Sequence, residues 1–123
     1  MKRFKFLLII SLILFLGFSS CNKDKDDNEQ NTTTLRYPIA AFSFSGNDQA
    51  APTNVKFNNN SQYANKYKWT FGDNGVSFEH SPSHTYYNNT DKPKLFYVSL
   101  LVEDTVTGLT NARSQSVSIL PKN

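Results

Sequence analysis

The sequence predicts an all-β fold, two facing sheets closed into a sandwich over residues 39–120. Three observations carry that expectation. Short runs alternate apolar with polar residues, the period of a half-buried strand. Clusters of Gly, Pro, Asn and Asp separate the runs. Beyond the first twenty residues, no stretch repeats its apolar positions at helical spacing.

Ala40, Phe42 and Phe44 share one face of a first strand, which Gly46-Asn47-Asp48 ends. Val55 and Phe57 share a face of a second, with Pro52 before it and Asn58-Asn59-Asn60 after it. In a third, Tyr67, Trp69 and Phe71 recur at period two while Lys68 and Thr70 point the other way, and Gly72-Asp73-Asn74-Gly75 must then turn sharply. Short segments at residues 76–78 and 84–86 supply two more strands.

The longest strand is expected from Leu95 to Glu103, with Phe96, Val98, Leu100 and Val102 inward and Tyr97, Ser99, Leu101 and Glu103 outward. A last strand follows Gly108, where Val117 and Ile119 alternate with Ser116 and Ser118. About seven strands in roughly 80 residues is the count of an immunoglobulin-like two-sheet sandwich.

The run Tyr67-Lys68-Trp69-Thr70-Phe71-Gly72-Asp73, followed by Ser77, Pro82, His84 and Tyr86, resembles the PKD domain family, whose pattern is Tyr-x-Trp-x-Phe-Gly-Asp-Gly, a Ser, then Pro-x-His-x-Tyr. The flanking strands are similar to the family's own over residues 39–120. The resemblance implies an extracellular, non-catalytic sandwich used for binding or spacing. The chemistry of the residues agrees with a structural motif. Trp69 suits the centre of a core, Gly72 and Gly75 allow backbone angles that side chains resist, and Asp73 can bond nearby amides. His84 and Tyr86 are expected to pin the loop by hydrogen bonds.

Three positions depart from that pattern. Asn74 stands where the family has Gly, Thr70 where it often has Asp, and residues 88–94 form a longer polar loop with Pro93. Loop length is where binding usually diversifies, so this loop is a first place to seek a partner.

Catalysis is not expected, since no nucleophile motif or carboxylate pair stands out and a filled core of this size leaves little room for a pocket. His80 and His84 are four apart but flank Pro82 in a β setting, unlike a zinc-binding helix. Asp73, Asn74 and Asp48 are the candidate oxygen donors for calcium, short of the six to eight ligands this hard cation takes. No cofactor and no resident metal are expected.

The first residues place the protein. Lys2, Arg3 and Lys5 precede an apolar run from Phe6 to Phe18, then Ser19 and Ser20, which is the build of a signal peptide over residues 1–20. The run is too short for a comfortable span of about 20 apolar residues. Cys21, the single cysteine, directly follows, and the arrangement resembles the lipobox of bacterial lipoproteins, with Phe18 in the usual aliphatic position. The resemblance implies an acylated Cys21 whose two or three chains hold the protein to a membrane, where one chain would not.

Residues 21–38 then form the acylated Cys and a linker whose stretch 22–34 contains no apolar residue, a solvated tether. Its start, Lys23 to Asp27, resembles the acidic export signal with which Bacteroidetes-type bacteria move lipoproteins to the outer face of the cell. The expected location is the cell envelope, at the outer membrane and cell surface.

Three of the 13 Lys and Arg lie before the cut, leaving ten against ten Asp and Glu. A near-neutral mature chain argues against nucleic acid as a partner. With the thiol acylated there is no disulfide, and the core must hold the fold.

Two functions remain. The module binds polysaccharide or an envelope protein, or it is a spacer or accessory subunit with no ligand of its own; in either case it is expected to be monomeric. Sugar binding needs exposed rings, and Tyr63, Tyr87 and Tyr97, joined by Phe78, are the candidates. One exposed plane of tyrosines would favour glycan, and dispersal would favour a protein partner. Asn31, Asn59 and Asn88 lie in Asn-x-Ser/Thr sequons. Asp104-Thr105-Val106 resembles an acceptor for O-glycosylation in Bacteroidetes-type bacteria.

Overall fold

Among the described residues, alternating inward and outward side chains build eight strands: β1 (Phe42–Ser45), β2 (Gln49–Ala50), β3 (Thr53–Asn59), β4 (Lys66–Thr70), β5 (Val76–Ser77), β6 (Ser83–Tyr86), β7 (Lys94–Asp104) and β8 (Leu109–Leu120). The computed structural model describes residues 34–123, of which Leu35–Asn123 form one compact unit. The signal peptide, Cys21 and the linker up to residue 33 lie outside the described residues.

One sheet has the order β1-β3-β6 and the other β2-β8-β7-β4-β5, and all pairings are antiparallel except the parallel β2–β8. This is an immunoglobulin-like β-sandwich. The chain crosses from the first sheet to the second directly after β1. There Gly46 and Asp48 take left-handed backbone angles (φ 102° and 57°), and a Cβ on Gly46 would stand 3.0 Å from the Asn54 carbonyl oxygen.

The core is made from the inward positions of both sheets. Phe42, Val55 and Phe57 face Trp69, Phe96, Val98, Leu100, Val102, Val117 and Ile119. The Trp69 side chain is 0% exposed, with Phe42 5.1 Å and Phe57 5.5 Å away between ring centroids. Such tilted and edge-on contacts add to the burial of large rings, the main force holding a domain without disulfides.

Three details differ from the sequence expectation. The longest strand is β8, with 12 residues against 11 for β7. Its first half does not alternate, because Asn111 and Arg113 are polar and exposed although they share a face with buried Val102 and Leu100. Alternation therefore marked only its second half. Asn59 closes β3 as an inward, buried residue rather than opening a loop. The two-residue β2 was unforeseen, since its existence depends on β8 lying alongside.

Candidate binding surfaces

The corner that carries the Trp-x-Phe-Gly-Asp sequence is saturated by its own contacts. The Trp69 indole N–H donates to the Glu79 carbonyl at 3.0 Å, and the Tyr86 hydroxyl donates to the Phe71 carbonyl at 3.0 Å. Burial, with the Asp73 carboxylate adding to it, pushes the Tyr86 hydroxyl well above the usual phenol range. Tyr67 donates to the Ala64 carbonyl and meets His80 edge-on. Pro82 is buried and its carbonyl accepts the Phe57 N–H.

Asp73 spends both carboxylate oxygens here. One accepts the Gly75 N–H at 3.0 Å, and the other lies 2.7 Å from His84 Nε2, where the imidazole N–H must be the donor. The His84 ring stacks on Phe71 at 4.2 Å and meets Tyr86 edge-on. A Cβ on Gly75 would come within 2.6 Å of the His84 ring, and one on Gly72 (φ 80°) within 2.7 Å of the Tyr97 nitrogen. Asn74 occupies its left-handed position (φ 72°) without glycine.

These contacts separate the proposed metal donors. Asp48 joins the outer edge of β8 while Asp73 follows β4, so β7 and β8 lie between them. His80 bonds Ser81 Oγ and His84 bonds Asp73, so the two imidazoles serve different neighbours. Among the described residues no group of three His, Cys, Asp or Glu could hold a metal ion.

The loop after β6 is likewise tied down. Asn88 is 1% exposed; its Nδ2 donates to the carbonyls of Lys92 and Ile119, both at 2.8 Å, and its Oδ1 accepts from the N–H and hydroxyl of Thr90. The side chain is consumed by the fold, so this sequon offers no free amide. Asn59 is buried as well, its Oδ1 taken by the Ser61 N–H. Asn31 lies outside the described residues. In the β7–β8 turn, Thr105 is exposed, and Asp104 is bonded by the Thr107 hydroxyl and the Val106 N–H, which hold its carboxyl below the usual range.

Tyr63, Tyr87 and Tyr97 are all exposed, but no sheet face carries all three. Tyr63 sits in the β3–β4 connection, where Arg36 lies 5.0 Å over its ring. Tyr87 follows β6 of the three-stranded sheet, and Tyr97 projects from β7 of the other.

The outer face of the five-stranded sheet gathers a different set. Leu95, Tyr97 and Leu101 alternate along β7 and stay exposed, Tyr97 by 70%. Val76 and Phe78 are exposed at the β5 margin. Leu95, Tyr97 and Ser99 pair with Ser118, Ser116 and Ser114, so hydroxyls flank the Tyr97 ring. Near Phe78, a shallow cleft of about 240 Å³ is lined by Lys66, Tyr67, Lys68, Leu101 and Glu103. The outer face of the three-stranded sheet instead presents Ser43, Ser45, Lys56, Asn58, Ser81 and Ser83. Outward parity singled out Tyr97 and Leu101 in the sequence, whereas grouping Phe78 with Leu101 required the fold.

No family model matches the chain, and no curated protein sequence matches it. Solved structures do. The PKD1 domain of Vibrio anguillarum Epp is 26% identical with a TM-score of 0.57, over 70% of this chain and 96% of that one. The PKD1 domain of the Vibrio cholerae metalloprotease PrtV is 25% identical with a TM-score of 0.56, over 69% and 99%. A structure described as carbohydrate-binding modules of the β-sandwich superfamily with promiscuous specificity is 28% identical with a TM-score of 0.57, over 70% of this chain and 35% of that one. The fold is PKD-like, and the likeness supports a non-catalytic binding or accessory module.

Proposed function

We propose that this chain is a lipoprotein of the cell envelope, acylated at Cys21 and carried on its polar linker to the cell surface, where the sandwich binds a protein partner. One observation carries the binding reading: Leu95, Tyr97 and Leu101 stand uncovered along one strand of an otherwise well-packed sandwich. Large exposed apolar side chains that cluster on one face mark interaction surfaces. The dispersal of Tyr63, Tyr87 and Tyr97 favours a protein over an extended sugar platform.

A second reading, carbohydrate binding, has its own support. Tyr97 offers a flat ring beside the hydroxyls of Ser99, Ser114 and Ser116, and one similar structure is named for carbohydrate-binding modules.

Site-specific photo-crosslinking in cells separates the two. A crosslinker at position 97 is expected to yield a discrete protein adduct, and one at position 58 on the opposite face none. Retention on insoluble polysaccharide that Tyr97→Ala abolishes would decide for carbohydrate. Neither result would leave a spacer. For the anchor, Cys21→Ser should abolish uptake of labelled palmitate, and continued uptake overturns acylation at that thiol.

A further inference from the structure

The longest strand among the described residues, β8, has a side without a partner there. β8 pairs with β7 along all but its last residue, from Leu109–Asp104 to Ile119–Lys94. Among the described residues, its other side is covered only at the carboxy end, where Asn47 and Asp48 bond Ser118 and β2 pairs with Ile119 and Leu120. Among the described residues, every other edge strand has two to four residues: β2 and β5 have two, β1 and β6 four.

The backbone shows which groups are open. Ser118 donates its N–H to Asn47 Oδ1 and accepts the Asp48 N–H, so both its polar groups point away from β7. Orientation alternates along a strand, and the β7–β8 register has no interruption. Thr110, Ala112, Ser114 and Ser116 must therefore also aim their N–H and C=O groups away from β7. All four are exposed, and among the described residues none of these backbone groups has a hydrogen-bond partner. The open ladder from Thr110 to Ser116 spans about 20 Å at 3.3–3.4 Å per residue.

Open edges invite strand addition, and natural proteins blunt them with proline, charged side chains, inward-pointing charges, bulges or short length. The Thr110–Ser116 stretch has no proline, lysine or bulge. It does hold Arg113, the one charged residue of β8, which makes no ion pair among the described residues. Arg113 decides between the possible occupants. A second copy, paired antiparallel so that all four open residues are used, would join Thr110 to Ser116 and Ala112 to Ser114 of its neighbour. That register sets Arg113 directly against Arg113 in the close non-bonded position, a destabilising like-charge pair. A carboxylate at the same place would instead be attracted.

We propose that the free edge of β8 takes up an extended segment of a partner protein as an added strand, with an acidic residue of that segment opposite Arg113. Main-chain hydrogen bonds from Thr110, Ala112, Ser114 and Ser116 hold the segment, and Arg113 selects its charge and register. Small side chains at Ala112, Ser114 and Ser116 let it approach closely. The inference rests on the protein-partner reading above and names the form that partner takes.

The probe is a fluorescent nine-residue peptide alternating Thr and Val with a central Glu, compared with the same peptide carrying a central Lys. Binding is read by anisotropy with the full-length chain in detergent. The Glu peptide is expected to bind at least tenfold more tightly. Arg113→Glu should reverse that order, and Ser114→Pro should weaken both peptides at least tenfold. The Ser114 N–H points away from β7, so proline there removes no bond of the native ladder. Arg113→Glu keeps the test decisive if proline disturbs the strand.

In hydrogen exchange, the Glu peptide should slow the amides of Thr110, Ala112, Ser114 and Ser116 specifically. Absent binding, equal binding of the two peptides, or protection elsewhere overturns the proposal. So does a dimer of the chain that Ser114→Pro dissolves, which would assign the edge to a second copy. A chain that crosslinks through position 97 yet ignores both peptides loses the edge proposal alone. Peptide binding without the crosslink would fault the sheet-face argument instead.

Discussion

The corner around Trp69, where β4 and its turn meet β6 of the facing sheet, and the outer side of β7 and β8 are built oppositely. At the corner, Trp69, Tyr86, His84 and Asp73 direct their polar atoms at one another or at nearby backbone. Along β7 and β8, Leu95, Tyr97 and Leu101 face outward, and four backbone positions of β8 have no partner among the described residues. The difference separates residues that make the fold from residues free to meet another molecule. The residues carrying the resemblance to PKD domains belong to the first group, so the motif identifies the scaffold without specifying its ligand.

The contrast breaks most visibly at its centre. Trp69→Ala should destabilise the domain by about 3–5 kcal/mol, because a large buried ring is lost and a cavity remains. Tyr97→Ala, whose backbone abuts Gly72 but whose ring points outward, should stay within about 0.5 kcal/mol. Urea denaturation of both variants measures the difference. Similar losses would mean that Tyr97 supports the core.

Tyr86→Phe probes one bond of the corner. It leaves the buried Phe71 carbonyl without its donor, and about 1–3 kcal/mol should be lost. The same residue gives a pH signature. Its hydroxyl titrates higher in the folded protein than in the unfolded chain, because burial and Asp73 disfavour the phenolate. The contribution is therefore complete below the unfolded value of about 10 and falls as pH rises toward the folded value. Denaturation midpoints measured from pH 8 to 11 should drop less steeply in Tyr86→Phe than in the parent. Parallel curves would remove the assignment.

The smallest effect belongs to the β7–β8 turn, where Asp104 ends β7 and is partly exposed. Its carboxyl titrates lower when folded, held by the Thr107 hydroxyl and the Val106 N–H. This contribution is present above the unfolded value of about 3.9 and is lost as pH falls through the folded one. NMR titration should give Asp104 a lower midpoint than a short peptide of the same turn, and Thr107→Val should raise it. An unchanged midpoint would show that the hydroxyl is not its partner.

Much of the sandwich was legible because side-chain alternation is a local property. Val55 and Phe57, Trp69 and Phe71, and the four inward residues from Phe96 to Val102 announce their face through period two alone, and all are buried. Asn59 misled because an Asn triplet reads as a turn, whereas β3 continues through its first two members and only Asn60 lies beyond. Arg113 and Asn111 concealed the first half of β8, since residues on the core side of a sheet need not be apolar where the opposing sheet does not cover them. Among the candidate contacts, exposure of Tyr97 followed from its parity, but the position of each tyrosine relative to the others depended on which strands became neighbours.

By itself, then, the chain order determined a β-sandwich with an indole at its centre and tight turns at Gly46 and Gly72, because periodicity and backbone permissiveness act over a few residues. Tertiary structure alone decided that Asp73 is engaged by His84, that the buried Asn88 bonds the Ile119 carbonyl and that β8 has an edge without a partner among the described residues. Each of those outcomes depends on hydrogen bonds, made or missing, between residues far apart in the chain, and no local pattern encodes which strand lies beside which.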